Sequence, residues 1–392
     1  MSRLALVVHA VVPGDPRIRR QADALLAAGH EVDIFCLRRA GQAAEETDGG
    51  LRLIRLPVDR SGASFAAHLA EYLAFSALVA PRLVGEHRRR RYRLVQVATL
   101  PDFLAFSVIP LKLAGVPLLL DLHEDMPEFF RDRFAHPLLR PLLPVVAGTA
   151  RAAAGLADAL ITVHEPLRQL SIARGVAPDK ISVVMNSADP LLFDPTRHPR
   201  RPFMADGVLR LIHHSSLQPI YGLDVAIEAI RRLGGSPPVQ LDANGEGPFR
   251  PTLEAAIIRT ETAAQVRLHG QVPIDRLPEL LAGADLAVVP TRPEPYLDYS
   301  LPTKLLEYAA MGVPTITTDL RTVRAHFTDA AVHFVPGADP DALAAALREA
   351  VADPKATVRR GVTAQREAAA YAWPNQARAY LDLVERLITS RA

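Results

Sequence analysis

Short, almost wholly apolar runs alternate along this chain with longer stretches in which apolar residues return every three or four positions. The first kind reads as buried strand, the second as amphipathic helix. Residues 4–9, 31–37, 51–56, 94–98, 117–122, 159–163 and 181–185 are predicted strands. Residues 18–28 and 103–114 are predicted helices, stopped by Gly29 and Gly115. Residues 194–202, DPTRHPRRP, have no periodicity and read as a linker. A second series follows, with strands at 208–213, 239–243, 266–269, 286–290, 313–318 and 332–335. Its helices are predicted at 223–233, 249–260, 274–282, 340–352 and 373–388, with one more opening near Pro302. Strands alternating with helices predict an α/β protein of doubly wound sheets, in two domains spanning 1–193 and 203–372.

Composition adds bounds. At 392 residues, 49% hydrophobic and 22% charged, the chain has apolar material for two cores. The single cysteine, Cys36, excludes an intrachain disulfide, lies in a strand-like run and fits a reducing compartment. The first apolar run is too short for a signal peptide, and no run approaches the ~18 residues that cross a bilayer, so the expectation is a cytoplasmic protein. A formal charge of +2 calls for no nucleic acid partner. Locally, HRRRRYR at 87–93 places Arg88, Arg89, Arg90 and Arg91 directly after a helix-patterned apolar stretch, 65–84. Two readings stay open: a face that presses onto an anionic membrane, making the protein peripheral at its inner side, or a solvated basic helix end.

The most informative stretch is LPTKLLEYAAMGVPTITTD, residues 301–319. With the strand before it, it forms a strand–loop–helix–strand crossover. Lys304 and Glu307 share a face near the helix start. Free amides and a lysine suit a diphosphate, and a carboxylate one turn deeper suits the hydroxyls of a ribose. The plainer reading is a surface ion pair. Elsewhere, Gly245 and Gly247 sit between a strand and a helix without the third glycine of a dinucleotide fingerprint, so a nicotinamide site is disfavoured. DLHEDMPEFF at 121–130 is the most polar strand end of the first half, and Pro127 stands where a zinc protease motif needs its second histidine. Asp339 and Asp341 form a DxD, but they open a helix and read as caps. No divalent metal and no other cofactor is expected.

The 307–314 segment, EYAAMGVP, resembles the signature helix of retaining glycosyltransferases of family 4 with the GT-B fold. That resemblance extends in order and spacing from the DPR loop at 15–17 to the terminal helix at Trp373. It implies two facing Rossmann-like domains with a cleft between them, and a helix 373–392 that packs back on the first. It implies transfer of a sugar from a nucleotide-diphospho-sugar, with UDP as the favoured nucleotide, to a saccharide or polyprenyl-linked acceptor in polysaccharide synthesis. His123, Lys304 and Glu307 take the catalytic positions. Ser215, Ser216, Gly245, Gly247, Gly270, Val272, Glu294, Tyr299 and Thr303 join Lys304 and Glu307 around the donor. Arg17, Glu124 and Asn186 fall on the acceptor side. The chain departs from the pattern at two places. Tyr299 stands where relatives often have a second glutamate, and Ser215 and Ser216 occupy a turn where many carry an arginine–lysine clamp. Those departures keep open a nucleotide-sugar-binding protein without turnover. A sugar-nucleotide epimerase of the same fold is a further alternative, distinguished by converting a donor with no acceptor present.

Overall fold

In the computed structural model, which describes residues 1–12, 15–58, 64–134 and 137–390, the chain divides into two units. One is Met1–Asn186 with Gln376–Ala392; the other is Ser187–Asn375.

The first unit is built on strands β1 (Arg3–Val7), β2 (Glu31–Leu37), β3 (Glu45–Asp48), β4 (Leu51–Leu56), β5 (Leu94–Ala98), β6 (Leu118–Leu122), β7 (Ala159–Thr162) and β8 (Ile181–Val183). Their order across the sheet is β3-β4-β2-β1-β5-β6-β7-β8. Every neighbouring pair is parallel except β3 with β4. Buried on both faces, the inner strands need unbroken apolar runs, which is why they are legible in the sequence. Strand β3, EETD, is exposed throughout and carries no such signal. Ion pairs of Glu46 with Arg55, and of Glu45 with Arg52 and Arg82, accompany its pairing on the sheet edge.

The helices of this unit are α1 (Pro16–Ala27), α2 (Phe65–Arg90), α3 (Ile109–Leu113), α4 (Met126–Arg133), α5 (Leu143–Leu156) and α6 (Glu165–Ala173). Helix α1 starts where Asp15 accepts the amides of Arg17 and Ile18 at 3.0 and 3.5 Å, with Pro16 in the first turn. Residues 103–114, expected as one helix, are a tight 3-10 turn over Asp102–Val108 followed by the short α3. The apolar stretch 65–84 lies within α2, where Phe75, Val79 and Leu83 are buried in the sheet's core. Arg90 pairs with Asp33 at 3.1 Å, whereas Arg88, Arg89 and Arg91 are exposed. Among the described residues no helix is long and apolar enough to cross a membrane.

The second unit carries β9 (Leu209–His214), β10 (Val239–Asn244), β11 (Val266–His269), β12 (Leu286–Val289), β13 (Thr315–Thr318) and β14 (His333–Val335), in the order β11-β10-β9-β12-β13-β14. All neighbours are parallel. Helices α7 (Leu223–Leu233), α8 (Arg250–Arg259), α9 (Leu277–Gly283), α10 (Thr303–Ala310), α11 (Arg321–Arg324), α12 (Pro340–Ala352) and α13 (Pro354–Ala369) connect or flank them. Both sheets reverse their winding once, at β1/β5 and at β9/β12, and ligands of open α/β sheets bind beyond the strand ends at such a reversal.

The segment 194–202 is no free linker, and the division falls earlier, after Asn186. Arg200 is half-buried in the second unit, where its guanidinium donates to the carbonyls of Ala284 (2.8 Å), Asp285 (3.0 Å) and Gly312. Asp285 accepts the amides of Met204 and Arg210 at 2.8 and 2.9 Å, tethering the segment that leads into β9.

The last helix, α14 (Trp373–Thr389), carries the chain back into the first unit. There Gln376 accepts the amide of Met185 at 2.9 Å, Glu385 pairs with His30 at 2.8 Å, and the Tyr380 hydroxyl donates to Gln96 at 2.6 Å.

Candidate active site

The winding reversal of the second unit brings four elements to one place: the ends of β9, β10 and β12 and the start of α10. Helix α10 begins at Thr303, one residue after Pro302. Lys304 on its first turn is turned inward and only 7% exposed. Its amine nitrogen has no hydrogen-bond partner among the described residues and lies 4.2 Å from the centre of the Tyr221 ring. Burial pulls its pKa down to about 7, and nearby Glu307 offsets only part of that.

Glu307, one turn on, lies 2.6 Å from Nε2 of His214, the last residue of β9. The His214 ring also stands edge-on to Tyr308, whose hydroxyl accepts the His214 amide at 3.1 Å. The preceding histidine, His213, is fully enclosed. Burial first, and Lys304 second, hold it neutral, well below the usual imidazole range. Its Nδ1–H donates to the Val288 carbonyl at 2.9 Å, which leaves Nε2 to accept from the Ser215 hydroxyl at 2.8 Å.

The glycines of the β10 turn are there for proximity. Gly245 has φ +147°, and a Cβ on it would stand 1.8 Å from the Ser215 carbonyl oxygen; one on Gly247 would meet the Leu217 carbonyl at 2.3 Å. Three loops are therefore stitched together. Ser215 N donates to Asn244 O at 3.0 Å, Leu217 N to Glu246 O at 2.9 Å, and Gly245 N to Gly270 O at 3.1 Å. The Asn244 side-chain amide nitrogen and the hydroxyls of Thr291 and Thr318, all near strand ends, are buried without partners among the described residues.

In the first unit a second polar constellation sits at the end of β6. His123 is buried, with Nε2 3.0 Å from Asp121 Oδ2. The Asp121 carboxylate also accepts from Gln21 (2.9 Å) and Gln96 (3.2 Å), and Gln96 donates to Gln21 at 2.8 Å. With Tyr380 donating to Gln96, the orientation of His123 is fixed through a network reaching helix α14. Among the described residues no group of three or more acidic, histidine or cysteine side chains is placed to hold a metal ion.

A winding reversal with a buried lysine and a carboxylate on the next helix turn suits an anionic nucleotide. The profile of the glycosyl transferases group 1 matches residues 209–353, and that of the glycosyl transferase 4-like domain matches residues 14–187. The chain is a glycosyltransferase, its second unit of group 1 and its first of the 4-like kind. Its fold is GT-B, two Rossmann-like units with parallel sheets. Three solved structures share that fold over nearly their whole length. A sucrose-phosphate synthase from Thermosynechococcus elongatus superposes with a TM-score of 0.79 at 18% identity, with 100% of both chains covered. HepE of Anabaena in complex with UDP gives 0.70 at 16%, with 98% of this chain and 100% of that one covered. The catalytic domain of starch synthase IV from Arabidopsis thaliana, bound to ADP and acarbose, gives 0.71 at 14%, with 99% of each covered. No curated protein matches the transferase in sequence.

The transferase gathers most of the donor-side residues named from its sequence. Lys304, Glu307, Ser215, Gly245, Gly247 and Gly270 meet around the β9/β12 reversal. Ser216 and Thr303 are exposed at the same strand and helix ends, and Val272 is half-buried beyond the Gly270 turn. Glu294 is exposed; Tyr299 lies under Arg321, 5.6 Å from its guanidinium. In the first unit, Arg17 pairs with its own helix cap, Asp15, at 3.3 Å, and Glu124 and Asn186 are half-buried. Of the loop before Arg17, Pro13 and Gly14 lie outside the described residues. Asp189 takes a turn-making role, accepting the Leu191 amide at 2.9 Å. Asp339 caps α12 by accepting the amides of Asp341 and Ala342. Sequence reasoning did not find the His214 partner of Glu307, although a polar doublet ending an apolar strand was a usable signal. It did not find the Gln21–Gln96–Tyr380 network either, whose members are dispersed along the chain.

Proposed function

We propose that this transferase moves a sugar, with retention of configuration, from a nucleoside-diphosphate sugar held by the second unit to an acceptor hydroxyl met by the first. The observation that carries the reading is Lys304: a buried lysine amine without a hydrogen-bond partner among the described residues, at the start of a helix and at a winding reversal. An incoming diphosphate supplies the missing anion. Lys304 and the first amides of α10 then stabilise the charge that grows on the leaving diphosphate as the glycosidic bond breaks. Glu307, steadied by His214, receives the ribose hydroxyls and so sets the position of the anomeric carbon. Gly245, Gly247, Gly270 and Val272 let backbone approach the nucleotide, Ser215, Ser216 and Thr303 line the same strand and helix ends, and Glu294 and Tyr299 border the sugar. His123 faces the reacting sugar or its acceptor, with Arg17, Glu124 and Asn186 on the acceptor side. With the acceptor attacking from the face the diphosphate leaves, no enzyme nucleophile is required. The stabilising charge comes from the protein, so no metal is assigned to this chemistry. UDP is the favoured nucleotide, in line with HepE and against the ADP of the starch synthase.

A thermal-shift panel of UDP, GDP, ADP and dTDP tests the donor site. One of them at a hundredfold over its Kd stabilises by about 2.7 kcal/mol, a shift of several degrees. A flat response to all four overturns the reading. Product analysis by NMR then separates transfer with a retained anomer from epimerisation of the donor alone.

A further inference from the structure

We infer that the outer face of α2, with the segment from Pro137 to Leu156 beside it, is a docking surface for an anionic lipid bilayer. The inference does not depend on the transferase reading. It depends on which side of the helix carries the polar groups.

A helix laid on a sheet turns its apolar stripe inward and its polar residues to water. The outer side of α2 does the opposite. Every exposed residue between Phe65 and Pro81 is apolar, Leu73 being 52% exposed, with Ala70, Ala74, Ala77, Leu78 and Pro81 around it. They recur every three or four positions and so form one continuous face. The carboxylates of the helix point the other way. Glu71 is buried 3.2 Å from Nε2 of His9, and Glu86 is buried and pairs with Arg52 at 2.8 Å. Scattered exposed leucines are ordinary, but a continuous apolar face on a helix that hides its acids marks a contact surface. At the end of the same helix Arg88 and Arg89 are exposed. Of the two readings open for residues 87–93, a solvated helix end accounts for these arginines but not for the apolar face that leads to them.

The neighbouring segment repeats the composition. Helices α2 and α5 both pack on the 3-10 turn Asp102–Val108 and share the walls of one pocket. Leu138 is 80% exposed, and Val145 is exposed one helix turn into the same stretch. From Pro137 to Leu156 there is no acidic residue, and the exposed polar side chains are Arg140 and Arg151. Glu45, which reaches α2 from the sheet edge, is already held by Arg52 and Arg82.

Charge decides the occupant. A second copy of this chain would bring the same arginines, with no exposed acid on either segment to meet them. An anionic bilayer satisfies both features. Leu73, Leu78, Leu138 and Val145 enter the boundary between headgroups and acyl chains, while the four guanidiniums stay among the phosphates. With Glu71 and Glu86 turned inward, no carboxylate of α2 faces the lipid. The helix lies on the membrane and does not cross it, as its length and apolarity require.

The test is co-sedimentation of the whole chain with vesicles of phosphatidylcholine, alone or with phosphatidylserine, at ~0.1 M salt. The chain should bind the anionic vesicles about tenfold or more tightly, and ~0.5 M salt should remove most of that preference. Replacing Arg88 and Arg89 together by serine should weaken binding about twentyfold, roughly fivefold for each charge near the surface. The pair Arg88→Lys and Arg89→Lys, which keeps the charge, should stay within about twofold of the native chain. Leu73→Ser with Leu78→Ser, and Leu138→Ser with Val145→Ser, should each cost about tenfold. All six positions are exposed, so these variants leave the core intact. Equal binding to neutral and anionic vesicles, binding to neither, full affinity in any of the three serine pairs, or a lysine pair as weak as its serine counterpart each overturn the proposal. So does a dimer in solution that Leu73→Ser with Leu78→Ser dissociates while vesicles go unbound, because a second copy is then the occupant. No nucleotide is present, so failure here leaves the donor site untouched, and a flat thermal-shift panel would leave this surface standing.

Discussion

Replacing Lys304 by methionine should make the free protein more stable and nucleotide binding much weaker. The size of the first effect follows from the buried ammonium. Its pKa falls from 10.5 to about 7 on folding. Between those values the unfolded chain holds a proton that the folded chain does not, so stability rises with pH across that window. Descending from pH 10.5 to pH 8 therefore costs about 3 kcal/mol, and the loss is complete near pH 7 at about 5 kcal/mol. Lys304→Met removes the titrating group. Denaturant curves at pH 8 should show the variant more stable by up to about 3 kcal/mol, with the gap closing as pH approaches 10.5. The second effect is a proton linkage. At pH 8 the folded lysine is mostly neutral, and an arriving diphosphate makes the charged form favourable, so binding should take up close to one proton. Calorimetry with UDP in buffers of different ionisation enthalpy reads that uptake directly. In Lys304→Met the uptake should vanish and affinity should fall by about a hundredfold, the scale of a charge-assisted hydrogen bond to phosphate. Identical pH-stability profiles for the two proteins, or binding heats independent of buffer in the native chain, would refute the account of a discharged lysine waiting for an anion.

Other expectations follow from single contacts. Asp102 has its carboxyl raised from 3.8 to about 7, so the folded state holds the extra proton and stability falls as pH rises through that range. Asp102→Asn should therefore be more stable than the native chain at pH 8, by at most about 4 kcal/mol, and indistinguishable from it near pH 4; parallel melting profiles across that range would refute this. Tyr380→Phe leaves the buried Gln96 carbonyl without its donor and should destabilise by about 1–3 kcal/mol in urea titrations, while turnover falls through the loosened His123; unchanged stability would show that the network is slack. Gly245→Ala places a methyl group on a backbone carbonyl at φ +147° and should lose more than about 2 kcal/mol together with nucleotide binding, as judged by melting and calorimetry.

How far the sequence led depended on what each segment buries. The inner strands of both sheets are covered on two faces and announce themselves as apolar runs, and α7 and α12 appear at their predicted limits because each lays one apolar stripe on a sheet. Helix α5 went unseen. Among its residues only Ala153 is fully buried, so it has no stripe to repeat. Strand β3 is held by charge and edge pairing, which leave no period of two. The same reasoning divides the candidate site. Lys304 and Glu307 were legible because one helix turn relates them, and Gly245 and Gly247 because turns need such residues. The His214 partner of Glu307 lies 93 positions away, and Gln96 and Tyr380 are 284 apart. Only the folded sheet brings such pairs into contact. The linker was placed late because DPTRHPRRP looks irregular, whereas Arg200 uses that irregular backbone to reach three carbonyls.

The return of Tyr380 to Gln96 bears on how the protein is made. A ribosome releases every strand of the first sheet before it has translated the second, yet the hydroxyl that completes the polar centre of the first sheet emerges only after the strands of both. The amino-terminal half should thus remain an unfinished nascent intermediate until position 380 has been translated. Any nonsense mutation upstream of position 380 would leave it unfinished for good.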